Sequence, residues 1–135
     1  MNCASLISNI HWLPVTVMTI VSFALGAFWH SPVLFGNTWK QKNNPDNKPV
    51  KINAPLIFGG TAVLHFIALA ALSAFVAGTG AVNGLKMGIF VSAGWIIPAM
   101  GGTYLFASRS LKLLAIDAGM YVVLFALSGL VFGIW

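Results

Sequence analysis

The sequence predicts an all-α membrane protein with four transmembrane helices and a short interfacial helix after the first of them. The 135 residues are 59% hydrophobic and only 7% charged, and their mean hydropathy is +0.90. So few polar residues cannot cover a water-soluble globule, which leaves lipid as the solvent. The charged residues are also clustered. They leave four apolar stretches, each with the roughly 20 residues that a helix needs to cross the bilayer.

These four stretches are too long for barrel strands and lack strict alternation of apolar and polar residues, so we predict helices. We place them in one domain over residues 1–135, at 12–30, 54–76, 85–107 and 111–134. Residues 40–52 are rich in Asn, Lys and Pro and form a solvated connector. Residues 78–83 form a tight turn. The glycines and Pro98 of the third span predict a kink.

The stretch that ends at Trp39 marks where the first apolar run stops. Pro32 suits the first turn of a helix because it lacks the N–H that would be unpaired there, and Ser31 can cap that turn. We expect a short helix along the membrane interface to follow. Trp29, Phe35 and Trp39 would then place three aromatic rings at headgroup depth.

The same stretch resembles a family signature. It is written Trp29-His30-Ser31-Pro32-x-x-Phe35-Gly36-x-x-Trp39, which is similar to the W-Y-S-P-x-x-F-G-x-x-W pattern of a bacterial integral-membrane family. That family is catalogued only as a domain of unknown function, number 1761 of its series. Residues 109–135 also resemble the last segment of the family, so the similarity spans nearly the whole chain. His30 stands where the family more often has tyrosine. The resemblance implies a small four-helix membrane protein and no assigned activity.

Small residues are spaced for close helix packing in several spans. Such residues let two helices approach until their backbones touch, and in membranes they mark helix interfaces. We expect this role for Gly26, for the Gly84-x-x-x-Gly88 pair and for the Gly129-x-x-x-Gly133 pair.

The positive charges predict the orientation. The loops after spans one and three share one side and carry Lys40, Lys42, Lys48, Lys51, Arg109 and Lys112, whereas the other side carries Lys86. By the positive-inside rule, both termini face the periplasm or exterior of a bacterial inner membrane. The basic residues behind the net charge of +5 are then expected to contact anionic lipid headgroups rather than nucleic acid.

Few residues offer chemistry. The three histidines lack metal-site spacing, no phosphate-binding loop or nucleophile elbow is present, and the only acids are Asp46 and Asp117. We therefore expect no metal, no cofactor and no enzymatic activity.

Two ionisable residues lie inside spans. His65, near the middle of span two, is either a neutral packing residue or part of a polar pathway. Asp117 lies about 7.5 Å of helix rise beyond Lys112, and an unpaired carboxylate at that depth would be protonated. The topology brings several polar residues to the same depth, namely His30, Thr103, Tyr104 and Arg109. Asp117 either fastens the helices together or forms a binding or proton-relay site.

Three functional hypotheses follow. The first is a small membrane protein, homo-oligomeric, that binds or passes a small solute or ion through this polar cluster. The second is a non-catalytic accessory or scaffold subunit of a larger membrane assembly, in which the small-residue faces dock other subunits. The third is an intramembrane enzyme, which lacks a recognisable set of acid, base and nucleophile.

Overall fold

The computed structural model describes residues 2–135, and within this range the chain forms helices and no strand. Seven α-helices and one π-helical turn follow in order: α1 (Cys3–Ser8), α2 (Trp12–Trp29), α3 (Gly36–Asn43), α4 (Ala54–Val76), α5 (Ala81–Val91), the π-helical turn (Ser92–Ile96), α6 (Ile97–Phe106) and α7 (Leu111–Ile134). Among the described residues, four helices are long and apolar enough to cross a membrane: α2, α4, the continuous α5–α6 unit and α7. The predicted fold class is confirmed, and the chain is a multi-pass membrane protein.

The third span begins at Ala81, four residues earlier than the sequence indicated. Gly78 and Gly80 both have positive φ angles, of 70° and 93°, which glycine adopts without strain. They complete the turn by residue 80, so the turn is shorter than the predicted 78–83.

The irregularity predicted in the third span is a π-helical turn, and it lies immediately before Pro98. Proline has no N–H to donate to the carbonyl four residues earlier, so the turn before it can widen. The buried hydroxyl of Ser92 donates to the carbonyls of Gly88 and Ile89 at 3.0 and 2.9 Å. The hydroxyl of Ser92 is thereby satisfied inside the span, in a region without water.

The first half of α5 and the second half of α7 cross with their backbones in contact. A Cβ added at Gly84 would overlap the carbonyl of Gly129, and one added at Gly88 would overlap the carbonyl of Phe125. The N–H of Gly80 donates to the carbonyl of Gly133 at 2.8 Å. Both glycine pairs singled out in the sequence therefore pack against each other within one chain. We call this region of the bundle the turn end, because residues 77–80 lie there.

The opposite end of the bundle is open. Every buried residue of α4 lies at or after His65, and nothing lies within 4 Å of the position a Cβ would take at Gly59 or Gly60. α6 buries only Tyr104. We call this the connector end, because the connector of residues 40–52 lies there. The first half of α4 thus diverges from its neighbours, whereas the second half packs in the core with Val15, Leu124 and Phe132.

The helix after Pro32 starts later than predicted. Residues 32–35 form turns, and α3 begins at Gly36 with Phe35 in the N-cap position. The hydroxyl of Ser31 donates to the carbonyl of Phe28 at 2.7 Å and caps no helix. The predicted capping role of Ser31 is therefore wrong, because its hydroxyl bonds backward to the end of α2.

Candidate functional site

Three separate elements converge on the carboxylate of Asp117. The indole N–H of Trp39, from α3, donates to Oδ1 at 2.9 Å. The hydroxyl of Tyr104, from α6, donates to Oδ2, and Nε2 of His30, at the end of α2, lies 3.3 Å from Oδ1. We call these four residues the Asp117 cluster. The side chain of Asp117 is 17% exposed and that of His30 is 30% exposed. The hydrogen bonds from the cluster replace the water that the carboxylate of Asp117 loses on burial.

The protons of His30 can be assigned from its two neighbours. Nδ1 lies 3.0 Å from the carbonyl of Gly26, and a carbonyl can only accept, so Nδ1 carries a proton. Nε2 then faces Asp117 Oδ1. If both of these atoms were unprotonated, two lone pairs would oppose each other at 3.3 Å. The pair therefore holds one further proton, either as imidazolium with carboxylate or as imidazole with carboxylic acid.

The tight turn between α2 and α3 carries Trp39 to Asp117. The N–H of Phe35 donates to the carbonyl of Trp29 at 3.2 Å, and the N–H of Gly36 donates to the carbonyl of Ser31 at 2.9 Å. A Cβ at residue 36 would overlap the main chain of His30 and Ser31. The glycine of the signature is therefore required by this close approach.

The two tryptophans of the signature bind α7. The indole N–H of Trp29 donates to the carbonyl of Ile116 at 2.9 Å, and its ring lies against Gly119 and stacks obliquely on Phe35 with centroids 4.9 Å apart. The prediction that these rings simply rest at headgroup depth is therefore incomplete, because both indole donors have specific acceptors on the last helix. The partnership of Trp39 with Asp117 escaped the sequence analysis. The only signal for it was that an indole N–H near a buried carboxylate needs an acceptor.

Two of the expected neighbours lie outside the cluster. The guanidinium of Arg109 lies over the ring of Tyr104, 4.6 Å from its centroid, and donates to Asn43 at 2.6 Å. Thr103 is exposed and donates to the carbonyl of Ala99. Neither makes a hydrogen bond to Asp117. Arg109, which was expected at the depth of Asp117, makes its hydrogen bond toward α3 instead.

A second polar group surrounds His65. Its Nδ1 lies 2.8 Å from the hydroxyl of Ser22, which donates its only proton to the carbonyl of Thr19 at 2.6 Å. Nδ1 is therefore the donor to Ser22, and Nε2 faces the hydroxyl of Tyr121 at 3.4 Å. We call Ser22, His65 and Tyr121 the His65 group. His65 can be singled out from the sequence but its two partners cannot, because Ser22 and Tyr121 look like ordinary residues of apolar helices.

One cleft joins the two polar groups. Its volume is about 690 Å³, and its lining includes His30, Asp117, Ser22, His65 and Tyr121. Asp117 and Tyr121 are one turn apart on α7, about 6 Å along the axis. The divergence of α4 opens this cleft, so the polar side chains of three helices face a shared space.

The family comparison covers residues 13–133 and matches a family described as "Protein of unknown function (DUF1761)". The chain belongs to this family. The match spans the signature stretch and both polar groups. No curated protein and no solved structure matches the chain.

The chemistry available to this DUF1761 protein is proton exchange and hydrogen bonding. Within residues 2–135, no three His, Cys, Asp or Glu side chains come close enough to hold a metal ion. The titratable pair His30 and Asp117 opens on the cleft. The arrangement can hold a proton, accept a donor group from a ligand, or exchange one for the other.

Proposed function

We propose that this DUF1761 protein binds a proton or a small cation at the His30–Asp117 pair, which it reaches from the water at the connector end, and passes it across the membrane. The observation that carries the proposal is the contact between His30 Nε2 and Asp117 Oδ1. The other imidazole nitrogen is fixed as a donor by the carbonyl of Gly26. The His30–Asp117 pair therefore needs one shared proton to be stable. It can give up that proton only if a cation or a donor group of a ligand takes its place.

The surroundings of the pair support reversible proton binding. Trp39 and Tyr104 donate to the two carboxylate oxygens, so the carboxylate keeps its position while His30 or a ligand exchanges the remaining partner. Ionisable groups within membrane spans commonly mark such pathways.

The expected setting of this activity is a homo-oligomer in a bacterial inner membrane, with both termini on the periplasmic side. The six positive charges at the connector end support this orientation by the positive-inside rule and would contact anionic headgroups. A pathway between protomers suits a chain whose own cleft is small. The proposed role is binding or passage rather than catalysis.

The orientation has a direct test. Single cysteines at Asn44 in the connector and at Thr79 in the turn should be labelled from opposite sides of the membrane. In intact cells, an impermeant maleimide should label the Thr79 position and leave the Asn44 position unlabelled until the cells are opened. Labelling of the Asn44 position from outside would reverse the proposed orientation.

Proton passage is tested by flux into vesicles that contain the purified protein. Wild-type protein should collapse an imposed pH gradient faster than empty vesicles across pH 5–8. Asp117→Asn should abolish this flux while the protein stays folded, because asparagine keeps the size and can bond to Trp39 but cannot carry the proton. Asp46→Asn is the matched control. Asp46 is the only other acid, it is 68% exposed in the connector and it pairs with Lys48, so its variant should conduct like the wild type.

The outcomes separate the proposal from its main alternative. Wild-type vesicles without flux at any pH in this range would refute proton passage. The alternative is an accessory subunit. The third span favours this role, because only 11% of its most apolar 18 residues are buried within the chain, which leaves the others free to contact another subunit. Purification in mild detergent with stoichiometric foreign subunits would support that role, whereas a symmetric oligomer of this chain alone supports the first.

A further inference from the structure

The cleft continues past the Asp117 cluster into a chain of cavities that the proposed proton passage does not use. A cavity of about 330 Å³ lies beyond His65 and shares His65, Met100 and Tyr121 with the cleft. A third cavity, of about 410 Å³, shares Ala68 and Phe125 with the second. The three spaces follow one another from the connector end toward the turn end.

The lining of this path changes from polar to apolar along its length. The cleft contains the Asp117 and His65 side chains. The third cavity is lined by apolar side chains, among them Ala71, Phe75, Met87 and Trp95. Neither lysine nor arginine lines any of the three spaces. The path therefore suits a molecule with a polar head and an apolar tail, and it offers no lysine or arginine to a phosphate or carboxylate head.

The polar wall accepts hydrogen bonds, and one of its acceptors has only a long bond to its partner. Because Ser22 holds the proton of His65 on Nδ1, Nε2 presents a lone pair. Its partner, the Tyr121 hydroxyl, is 3.4 Å away, longer than a well-formed bond of about 2.7–2.8 Å. A ligand hydroxyl at this point can donate to Nε2 and accept from Tyr121. A second donor on the same head reaches the carboxylate of Asp117, one turn away on α7.

We propose that the cleft and its two cavities bind a membrane amphiphile with an uncharged head that carries two hydroxyl groups and with a single hydrocarbon tail. The hydroxyls bind His65 Nε2 and Asp117, and the tail follows the two cavities along α4. The carboxylate of Asp117 and the absence of lysine and arginine from the lining disfavour an anionic head. This inference goes beyond the proposed proton passage, because it adds the His65 group and the apolar path to Asp117, and it does not require that a proton crosses the membrane.

Two kinds of membrane compound carry this chemistry, namely monoacylglycerols and quinols. Decylubiquinol and decylubiquinone form a matched pair for the test, since they share ring and tail but only the quinol has hydroxyl protons. Monoolein and methyl oleate form a second pair that differs in the same way. Equilibrium binding is measured on the purified protein in lipid nanodiscs, with the quinol kept reduced.

We expect one saturable site per chain for decylubiquinol or monoolein, with at least tenfold weaker binding of the partner that lacks hydroxyl protons. Whichever head binds identifies the source. Equal binding within both pairs, or no saturable binding of either hydroxyl compound, would overturn the proposal. These comparisons need no variant, so they do not depend on the tolerance of the fold to substitution.

Two substitutions locate the site. His65→Phe keeps an aromatic ring and removes the acceptor, so it should weaken binding of the hydroxyl compound roughly tenfold, about the effect of one lost hydrogen bond. Ala71→Phe fills the third cavity without touching the head and should also weaken binding. His11→Phe is the control, because His11 lines none of these cavities and bonds to Ser73 through its backbone N–H. Unchanged affinity in both test variants would refute the location.

The outcome of the amphiphile-binding experiment can be distinguished from that of the flux experiment. Asp117→Asn should abolish proton flux, whereas His65→Phe should lower amphiphile binding in a protein that need not conduct. Binding without flux would support the amphiphile site and refute the proton pathway. Flux without binding would support the proton pathway and refute the amphiphile site.

Discussion

The two ends of the bundle are built in opposite ways. At the turn end, α5 and α7 touch through glycine backbones, and the second half of α4 packs in the core. At the connector end, α4 diverges, α6 buries only Tyr104, and contacts are made through individual hydrogen bonds to α7. Steric fit therefore holds one end of this protein, whereas polar side chains hold the other. In the proposed function, the packed end keeps the helices in place while the open end exchanges protons or ligands.

The largest expected effect concerns the glycine crossing. Replacing Gly129 and Gly133 together with leucine should destabilise the bundle by about 3 kcal/mol or more, because the new side chains would meet backbone atoms that cannot move aside. Unfolding by denaturing detergent, followed by circular dichroism, measures the loss. Insertion should not fall, since leucine is more hydrophobic than glycine.

The matched control uses the open end. Gly59→Leu with Gly60→Leu places the same bulk where nothing lies within 4 Å, and it should change the unfolding free energy by less than about 1 kcal/mol. Equal destabilisation by the two double variants would mean that the ends do not differ as described.

A smaller loss is expected at the polar end. Asp117→Leu leaves Trp39, Tyr104 and His30 without their acceptor, and stranded donors away from water cost about 1–3 kcal/mol each before relaxation. We expect a net loss of about 2–3 kcal/mol, with α3 released from α7. A single cysteine at Gln41 reports the release through faster labelling. Asp117→Asn should lose far less stability. Equal losses of unfolding free energy in the two variants would mean that bulk rather than hydrogen bonding matters here.

The smallest effect should come from Trp39→Phe, which keeps a ring and removes one indole donor. The expected loss is about 1 kcal/mol, the value of one hydrogen bond. Trp95→Phe is the control, because Trp95 is 62% exposed and packs edge-on against Phe90, so its unfolding midpoint should not move. A Trp39→Phe protein as stable as the wild type would show that geometry alone keeps α3 on α7.

Composition and apolar runs were enough to predict the four spans, since each run is long and the charges lie between them. The depth of residues in the membrane, read from their positions along the spans, was enough to predict that His30 and Tyr104 lie near Asp117. The rotation of α3 could not be predicted, because it depends on the turn at Gly36, and so Trp39 was assigned to the interface. Gly59-Gly60 and Gly84 look alike in sequence. Only the divergence of α4 distinguishes a glycine in open space from one in backbone contact.

Arg109 shows the limit of an argument from depth alone. It was placed level with Asp117, but its guanidinium lies over the ring of Tyr104 and bonds to Asn43. Side-chain competition of this kind depends on distances that no spacing in the sequence encodes.

The Asp117 cluster also has a consequence for biogenesis. His30 and Trp39 leave the ribosome long before Asp117, which lies in α7. Until α7 enters the bilayer, the indole donors of Trp29 and Trp39 have no acceptor. The arrival of α7 therefore both completes the contact of His30 with Asp117 and fastens the first connector, so a chain truncated before α7 carries unsatisfied donors.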